Sequence, residues 1–181
     1  MTWDKVKVGD YCEITSSKRI FFSDYVPAGV PFYRSKEIIQ KHRLQEINEP
    51  LYITQRKYDD ILEKFGVPES GDMLLTSVGT IGTPYIVKDN DYFYFKDGNL
   101  TWFRKFTDKL LSKFLYYWIQ SHDGEGALYS LTIGSSQKAL TIVALKGLEI
   151  PLPPLPIQRR IADILSAYDD LIENNQKQIK L

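Results

Sequence analysis

Leu148-Glu149-Ile150-Pro151-Leu152-Pro153-Pro154-Leu155-Pro156 runs directly into Ile157-Gln158-Arg159-Arg160-Ile161-Ala162-Asp163-Ile164-Leu165. This junction decides the architecture. Leu148 to Leu152 reads as a final strand. Proline lacks a backbone N–H and fixes φ, so prolines at 151, 153, 154 and 156 stop regular structure and mark a boundary. From Ile157 to Leu181 nothing breaks a helix. Ile161, Ile164/Leu165, Tyr168, Leu171/Ile172, Asn175 and Ile179 recur at steps of three and four. That spacing predicts a coiled-coil seam with one polar insertion, Asn175. The candidate pairing residues are Ile161, Leu165, Tyr168, Ile172, Asn175 and Ile179. At ~1.5 Å per residue the helix forms a rod roughly 37 Å long. The division expected is a body over residues 1–152, then a proline junction and helix over 153–181.

Working back from the junction, short elements alternate irregularly. Val8 to Ile14 is short structure that reads equally as helix or strand. Pro31-Phe32-Tyr33 reads as a strand, and Ser35 is placed to cap a helical run from Lys36 to Arg43. A clearer helix covers about Gln55 to Phe65. Tyr58, Ile61, Leu62 and Phe65 share one face of it, and Gly66 and Pro68 stop it. Met73 to Val78 is a strand entering the turn Gly79-Thr80-Ile81-Gly82. Tyr85 to Lys88, Tyr92 to Lys96 and Leu100 to Phe106 follow as strands, split by Asp89-Asn90-Asp91 and Asp97-Gly98-Asn99. Such spacing implies a meander or part of a barrel. Thr107 or Asp108 then caps a helix to about Ser121, with Leu111, Phe114, Leu115, Trp118 and Ile119 facing inward. Beyond Gly124 the chain reads as loose up to the polar loop Gly134 to Lys138. Helices interleaved with hairpins in this way predict an α+β fold.

With 181 residues, the chain fits one domain and an appendage. Hydrophobic residues at 43% and charged residues at 25% are the balance of a folded chain, which excludes intrinsic disorder. No run approaches the ~18 apolar residues a membrane span needs. The start, Met1-Thr2-Trp3-Asp4-Lys5, lacks the apolar core of a signal peptide, so a cytoplasmic location with no membrane partner is expected. The lone Cys12 excludes an internal disulfide or a thiolate zinc cluster. His42 and His122 leave little for a histidine metal site, and no metal or cofactor is expected. Lys+Arg and Asp+Glu balance at 23 each, which argues against nucleic-acid binding through bulk charge but leaves a local patch open. Twelve tyrosines suit either a contact surface or a core with satisfied hydroxyls.

Catalytic chemistry finds no anchor. Gly79-Thr80-Ile81-Gly82 lacks the Gly-Lys-Ser/Thr ending of a phosphate loop and is not the dinucleotide pattern. No GxSxG elbow exists. His122-Asp123 with Ser135 assembles a triad only on paper, and Asp59-Asp60 and Asp169-Asp170 read as solvated helix faces. The chain reads as a binder. Its candidate binding groups are Lys18, Arg19, Arg34, Lys36, Lys88, Gln137 and Lys138, which flank expected turns. Arginine and lysine serve phosphates, and arginine, lysine or glutamine read base edges.

Two stretches taken together are more specific. Gly71-Asp72-Met73-Leu74-Leu75-Thr76-Ser77-Val78-Gly79-Thr80-Ile81-Gly82 is one. The other is Ser136-Gln137-Lys138-Ala139-Leu140 leading to the proline junction, with Gln158, Ile161, Leu165 and Asp169–Asn174 after it. Both resemble the specificity (S) subunits of type I restriction–modification enzymes, and the likeness runs from Trp3 to the end. The resemblance implies a β-rich target recognition domain, with packed helices, followed by a conserved spacer helix. It implies double-stranded DNA as ligand, read in one half of a bipartite target. Separate methylation (M) subunits and, through them, a restriction (R) subunit would be the partners, with no catalysis in this chain. Lys18, Arg19, Arg34, Lys36, Thr80, Lys88, Ser135, Gln137 and Lys138 would be the DNA-facing residues. A full S subunit resembles two such units in tandem, so this chain reads as half of one, natural or truncated, and a homodimer through the helix is expected. The rival reading is a protein-interaction module with a dimerising helix, favoured by the neutral charge.

Overall fold

Met73-Leu74-Leu75-Thr76 is apolar without alternation because both of its faces are covered. Met73 and Leu75 enter one core, with Ile14, Phe103, Phe114, Leu115, Ile119 and Leu145. Leu74 enters another on the opposite face, with Ile38, Tyr85, Phe95, Leu100 and Trp102. A strand of period two with helices on both sides has no polar face to show. The computed structural model describes residues 3–134 and 138–179. Its elements are β1 (Lys5–Lys7), β2 (Glu13–Thr15), β3 (Tyr25–Val26), β4 (Val30–Tyr33), α1 (Ser35–His42), β5 (Leu51–Ile53), α2 (Gln55–Phe65), β6 (Met73–Thr76), β7 (Pro84–Ile86), β8 (Tyr94–Phe95), β9 (Leu100–Arg104), α3 (Ser112–Ile119), α4 (His122–Ser130), α5 (Ile142–Lys146), β10 (Glu149–Pro151) and α6 (Leu155–Ile179).

The fold is α+β. One antiparallel sheet has the order β2-β9-β6-β7, and a second has the order β3-β5-β4-β8, with β4 and β8 parallel. The second sheet packs Val30, Phe32, Ile53 and Tyr94 against Tyr58 and Ile61 of α2. Strand β8 joins the two halves, because Tyr94 points into the α2 core while Phe95 points into the Leu74 core. A third, two-stranded ribbon pairs β1 with β10, Lys5 opposite Pro151 and Lys7 opposite Glu149. The start of the chain is thereby tied to the strand that precedes the prolines. Among the described residues no helix is long and apolar enough to cross a membrane.

Several elements differ from the sequence expectation, each for a physical reason. The ambiguous Val8–Ile14 stretch holds both possibilities: a 3-10 turn over Val8–Asp10, then β2. Helix α1 begins at Ser35 rather than after it. The Ser35 hydroxyl donates to Asn99 O (3.4 Å), and Glu37 accepts the Arg34 N–H (2.8 Å) in the capping role. On α2, Tyr58 and Ile61 are buried but Leu62 and Phe65 remain largely exposed. The segment read as loose is largely helix α4, and a further short helix, α5, follows the polar loop. Ser121 caps α4 by accepting the Gly124 N–H (3.1 Å), and Thr141 caps α5 by accepting the Ala144 N–H (3.1 Å). Gly124 lets α4 touch α3, since a Cβ there would lie 2.0 Å from Trp118 O.

Helix α3 starts at Ser112, later than Thr107 or Asp108 would give. The cause lies in α6. The buried Gln158 accepts the Leu111 N–H through Oε1 (2.9 Å), and its Nε2 donates to Lys109 O (2.9 Å) and Pro153 O (2.8 Å). One side chain thus saturates the approach to α3 and the proline junction together. Ile161 and the buried Ala162 continue the contact, Ile161 against the β2–β6–β9 core. Further along, Tyr117 donates to Asp169 (2.7 Å) and Lys88 pairs with Glu173 (3.4 Å).

Gln158→Ala should therefore cost about 2 kcal/mol, because it strands the buried Pro153 carbonyl and leaves a half-buried amide and carbonyl for water to reach. Urea denaturation followed by circular dichroism measures it. A loss below about 0.5 kcal/mol would mean water replaces the glutamine and that α6 is held by its apolar contacts alone.

Candidate nucleic-acid interface

The binding groups expected from the sequence fall into two sets. The first begins at Lys18 and Arg19 in the segment after β2. The Lys18 backbone N–H donates to the buried Tyr94 hydroxyl (2.7 Å), and Arg19 Nε pairs with Asp97 (2.9 Å) in the β8–β9 turn. That turn carries Asn99, whose carbonyl accepts both the Ser35 hydroxyl (3.4 Å) and the Ser77 N–H (2.8 Å). Arg34 and the exposed Lys36 therefore lie at the start of α1, next to the same turn. Ser77 in turn leads into Gly79-Thr80-Ile81-Gly82. Gly79 and Gly82 hold positive φ (77° and 83°), where a side chain would be strained. The Gly82 N–H returns to Thr76 O (2.8 Å), so the loop is closed on its own strand.

The glycine loop also carries a neighbour. Val78 bridges Ala139, and the Gly79 N–H donates to Lys138 O (3.3 Å). Lys138 is thereby brought beside Thr80, which is exposed. Its ammonium sits 3.6 Å from the centroid of the Tyr129 ring. Hydrogen bonding from Lys138, with its charge, holds the Tyr129 hydroxyl below its usual pKa. Ser135 and Gln137 lie outside the described residues. Lys88 belongs to the second set: its pairing with Glu173 places it against α6, away from the β8–β9 turn.

Depth gives the first set its electrostatic character. Arg19 is 69% exposed and its partner Asp97 17%. Arg34 is 37% exposed and Glu37 only 2%. Lys57 faces outward from Asp24 in the same sense. In each pair the carboxylate lies inside and the cation outside. Glu37 grips Arg34 through Nε (3.2 Å) and Nη2 (2.6 Å), leaving the Nη1–Nη2 edge of the guanidinium pointing away from it. A planar fork held on one side presents two parallel N–H groups on the other, the geometry that suits a bidentate acceptor. Burial raises the Glu37 carboxyl pKa, but the side-chain and backbone bonds from Arg34 outweigh it and hold it below 4.5.

Among the described residues no group of three or more His, Cys, Asp or Glu is placed to hold a metal ion. His122 opens α4 and Asp123 follows it in the first helical turn. The buried Asp72 accepts from Trp102 Nε1 (2.7 Å) and the Glu69 N–H (3.0 Å), which is a structural role.

Residues 1–181 match the family model of the type I restriction modification DNA specificity domain. The chain belongs to this family. A Haemophilus influenzae protein provisionally named type I restriction enzyme specificity subunit S.HindORF215P is 28% identical over 167 residues, covering 92% of this chain and 40% of the relative. The MjaIX specificity subunit of Methanocaldococcus jannaschii is 28% identical over 180 residues, 97% of this chain and 40% of that protein. The crystal structure of the type I restriction–modification S subunit from M. genitalium shares the fold, with TM-score 0.67, 19% identity, and coverage of 99% of this chain and 42% of that one. The chain thus spans about 40% of the length of the curated relatives it matches. Specificity domains are recognition components and not catalysts.

Sequence reasoning for this specificity domain missed Glu37 and Asp97, which aim Arg34 and Arg19, and also Tyr129. It gave no role to the doublet Phe21-Phe22, two exposed rings next to Lys18-Arg19. The signal available was the spacing itself: Glu37 stands three residues after Arg34, the N3 position of a capped helix.

Glu37→Gln should cost about 1–2 kcal/mol at pH 7, with the exposure of Arg34 keeping the figure modest. The sign follows from the lowered carboxyl pKa. A depressed pKa adds stability above the ordinary value of 4.5 and loses it as pH falls through the lower folded value. Melts between pH 7 and pH 3 should show a shallower acid decline in Glu37→Gln than in the parent. Parallel declines would remove Arg34–Glu37 from the acid limb.

Proposed function

We propose that this chain reads one half of a bipartite double-stranded DNA target and directs methylation subunits, and through them a restriction subunit, to it. Residues 1–152 act as the recognition body and 153–181 as the spacer, working in the cytoplasm without cofactor. The observation that supports this best is the Arg34 fork. A guanidinium oriented by a buried carboxylate, among further outward cations and in a DNA specificity domain, is suited to a guanine edge in the major groove. Lys36, beside Arg34, and Gln137 read further base edges, Lys18, Arg19 and Lys138 serve phosphates, and Thr80 supports the loop that carries Lys138.

Selection of bound sequences from random duplexes, with the methylation subunit present, identifies the half-site. On it, Arg34→Ala should cost about 1–3 kcal/mol more than on random DNA. The logarithm of affinity should fall linearly with log salt, with a slope of about −0.9 per phosphate contacted. Equal losses on both DNAs would reassign Arg34 to a phosphate. Binding to no duplex would overturn the reading.

The spacer acts by pairing. Helix α6 spends Gln158, Ala162, Asp169 and Glu173 on its own body and leaves Ile164, Leu165, Tyr168, Leu171, Ile172 and Ile179 largely exposed. An apolar stripe of this length fits a second copy of the same helix in a two-fold pair, with exposed Asn175 setting register. Light scattering at micromolar concentration should give twice the 21.0 kDa of one chain. Tyr168→Asp with Ile172→Asp should give the single mass with an unchanged melt. A single mass for the parent chain would remove the homodimer.

A further inference from the structure

Phe22 is 89% exposed, the most exposed large apolar side chain among the described residues, and Phe21 beside it is 61% exposed. Flexible exposed rings are common, but this one stands on a stapled support. Phe22–Asp24 form a 3-10 turn. The Asp24 carboxylate accepts the Phe21 N–H (2.9 Å) and pairs with Lys57 of α2 (3.3 Å), so the turn is pinned to a neighbouring helix. The Phe22 ring meets Tyr25 edge to face, with centroids 5.9 Å apart, and Tyr25 rests on Phe32 at 5.5 Å. Phe32 is fully buried in the α2 core. A column of three rings therefore runs from the core of the second sheet to solvent, with Phe22 at its tip.

Cations lie near the base of the column. Lys57 is on Asp24, and Lys18 and Arg19 precede the doublet with Ile20 between. Arg34, Asp97 and Asp24 all lie close enough to act electrostatically on the Tyr25 hydroxyl. The cation of each ion pair in this group is the outer member. A protein partner is a poor occupant, since the centre of a protein interface is depleted in charge and buries about 800 Å² per side. Two rings beside outward-facing cations supply neither. A duplex satisfies both features, because phosphates meet the cations while an apolar wedge enters between bases. Phenylalanine inserted at a base step, partly unstacking it, is an established way for proteins to grip DNA.

We infer that Phe22 is a wedge residue, seated at one base step of the duplex that the body reads and partly unstacking it, with Phe21 packed beside it. This rests on the DNA-reading role proposed above and adds a contact of a different kind. The rigid column matters to the mechanism, because a wedge must not fold away when it meets the stack. Pyrimidine–purine steps, which unstack most readily, are the expected seat.

The test uses the full chain with the methylation subunit and the duplex obtained by selection. Phe22→Ala should weaken binding at least tenfold with an unchanged melt, since the side chain is outside the core. Phe22→Leu, still an apolar wedge, should keep most of the affinity. 2-Aminopurine placed in turn at each position should brighten at one step with the parent chain and stay dark with Phe22→Ala. Unchanged affinity and no brightening overturn the wedge and leave DNA reading intact. Lost affinity without brightening at any step also overturns it, because the ring then lies along a groove instead of between bases. Loss of methylation-subunit capture by Phe22→Ala at unchanged DNA affinity overturns it in favour of a protein contact. Failure of the parent chain to bind any duplex removes both this inference and the role on which it rests.

Discussion

The structure turns on one buried amide. Gln158 has no exposure and bonds the Leu111 N–H, Lys109 O and Pro153 O at 2.8–2.9 Å. Those groups belong to the approach to α3, the same approach again, and the proline junction. None can pair within its own segment, because prolines supply no ladder and α3 has not yet begun. A carboxamide is suited to this work, with an acceptor and two donors on one planar group. A carboxylate would bring charge and no donors, and an apolar residue would leave three buried or half-buried groups without partners. The direction in which α6 leaves the body is thus set by hydrogen bonds of fixed geometry more than by apolar contact.

That arrangement explains how α6 divides its circumference. The face continuing from Gln158 is Ala162, Asp169 and Glu173, small or polar, and it contacts α3 and Lys88. The apolar stripe faces elsewhere. In an ordinary globular helix the apolar face makes the intramolecular contact and the polar face meets water. Here the polar face makes it after the first two turns, with only Ile161 of the stripe turned towards the core. The helix keeps its apolar surface for something other than its own body, while the Tyr117–Asp169 and Lys88–Glu173 contacts stop it from rolling over to bury that surface.

How far the sequence could be read follows the range of the interactions. Helix α2, the β6 strand with its glycine turn, and β10 followed by α6 were legible, since Thr54, Gly66, Gly79, Gly82 and the prolines act on their immediate neighbours. Helix α4 was not, because Gly124 and Gly126 weaken its propensity, although Gly124 is required for close packing on α3. The start of α3 was not, because its partner Gln158 lies 47 residues away. The same distinction applies to the interface. Cations beside turns were visible, but their direction depends on carboxylates such as Asp97, 78 residues from Arg19. Lys88 looked like its neighbours in composition and differs because Glu173 of α6 stands opposite it.

A chain with equal numbers of acidic and basic residues is an unexpected candidate for reading DNA, and depth resolves the tension. Opposite charges at different depths cancel at a distance. Within a few ångströms of the outer cation they do not, because a ligand there stands closer to the cation than to the carboxylate behind it. A phosphate or a base edge touching Arg34 meets a cation, whereas a duplex several Debye lengths away meets a neutral body. Such a surface gains little from electrostatic steering, which speeds encounter for strongly basic proteins. Under the proposed DNA reading, its discrimination would lie in how long a complex lasts once fork, wedge and phosphate contacts form, and a random duplex that satisfied only the phosphates would leave quickly. Low attraction for bulk DNA is an advantage for a recognition component. The many non-specific sites of a genome compete for any DNA-binding protein, and a formally neutral chain would be drawn to them less than a strongly basic one.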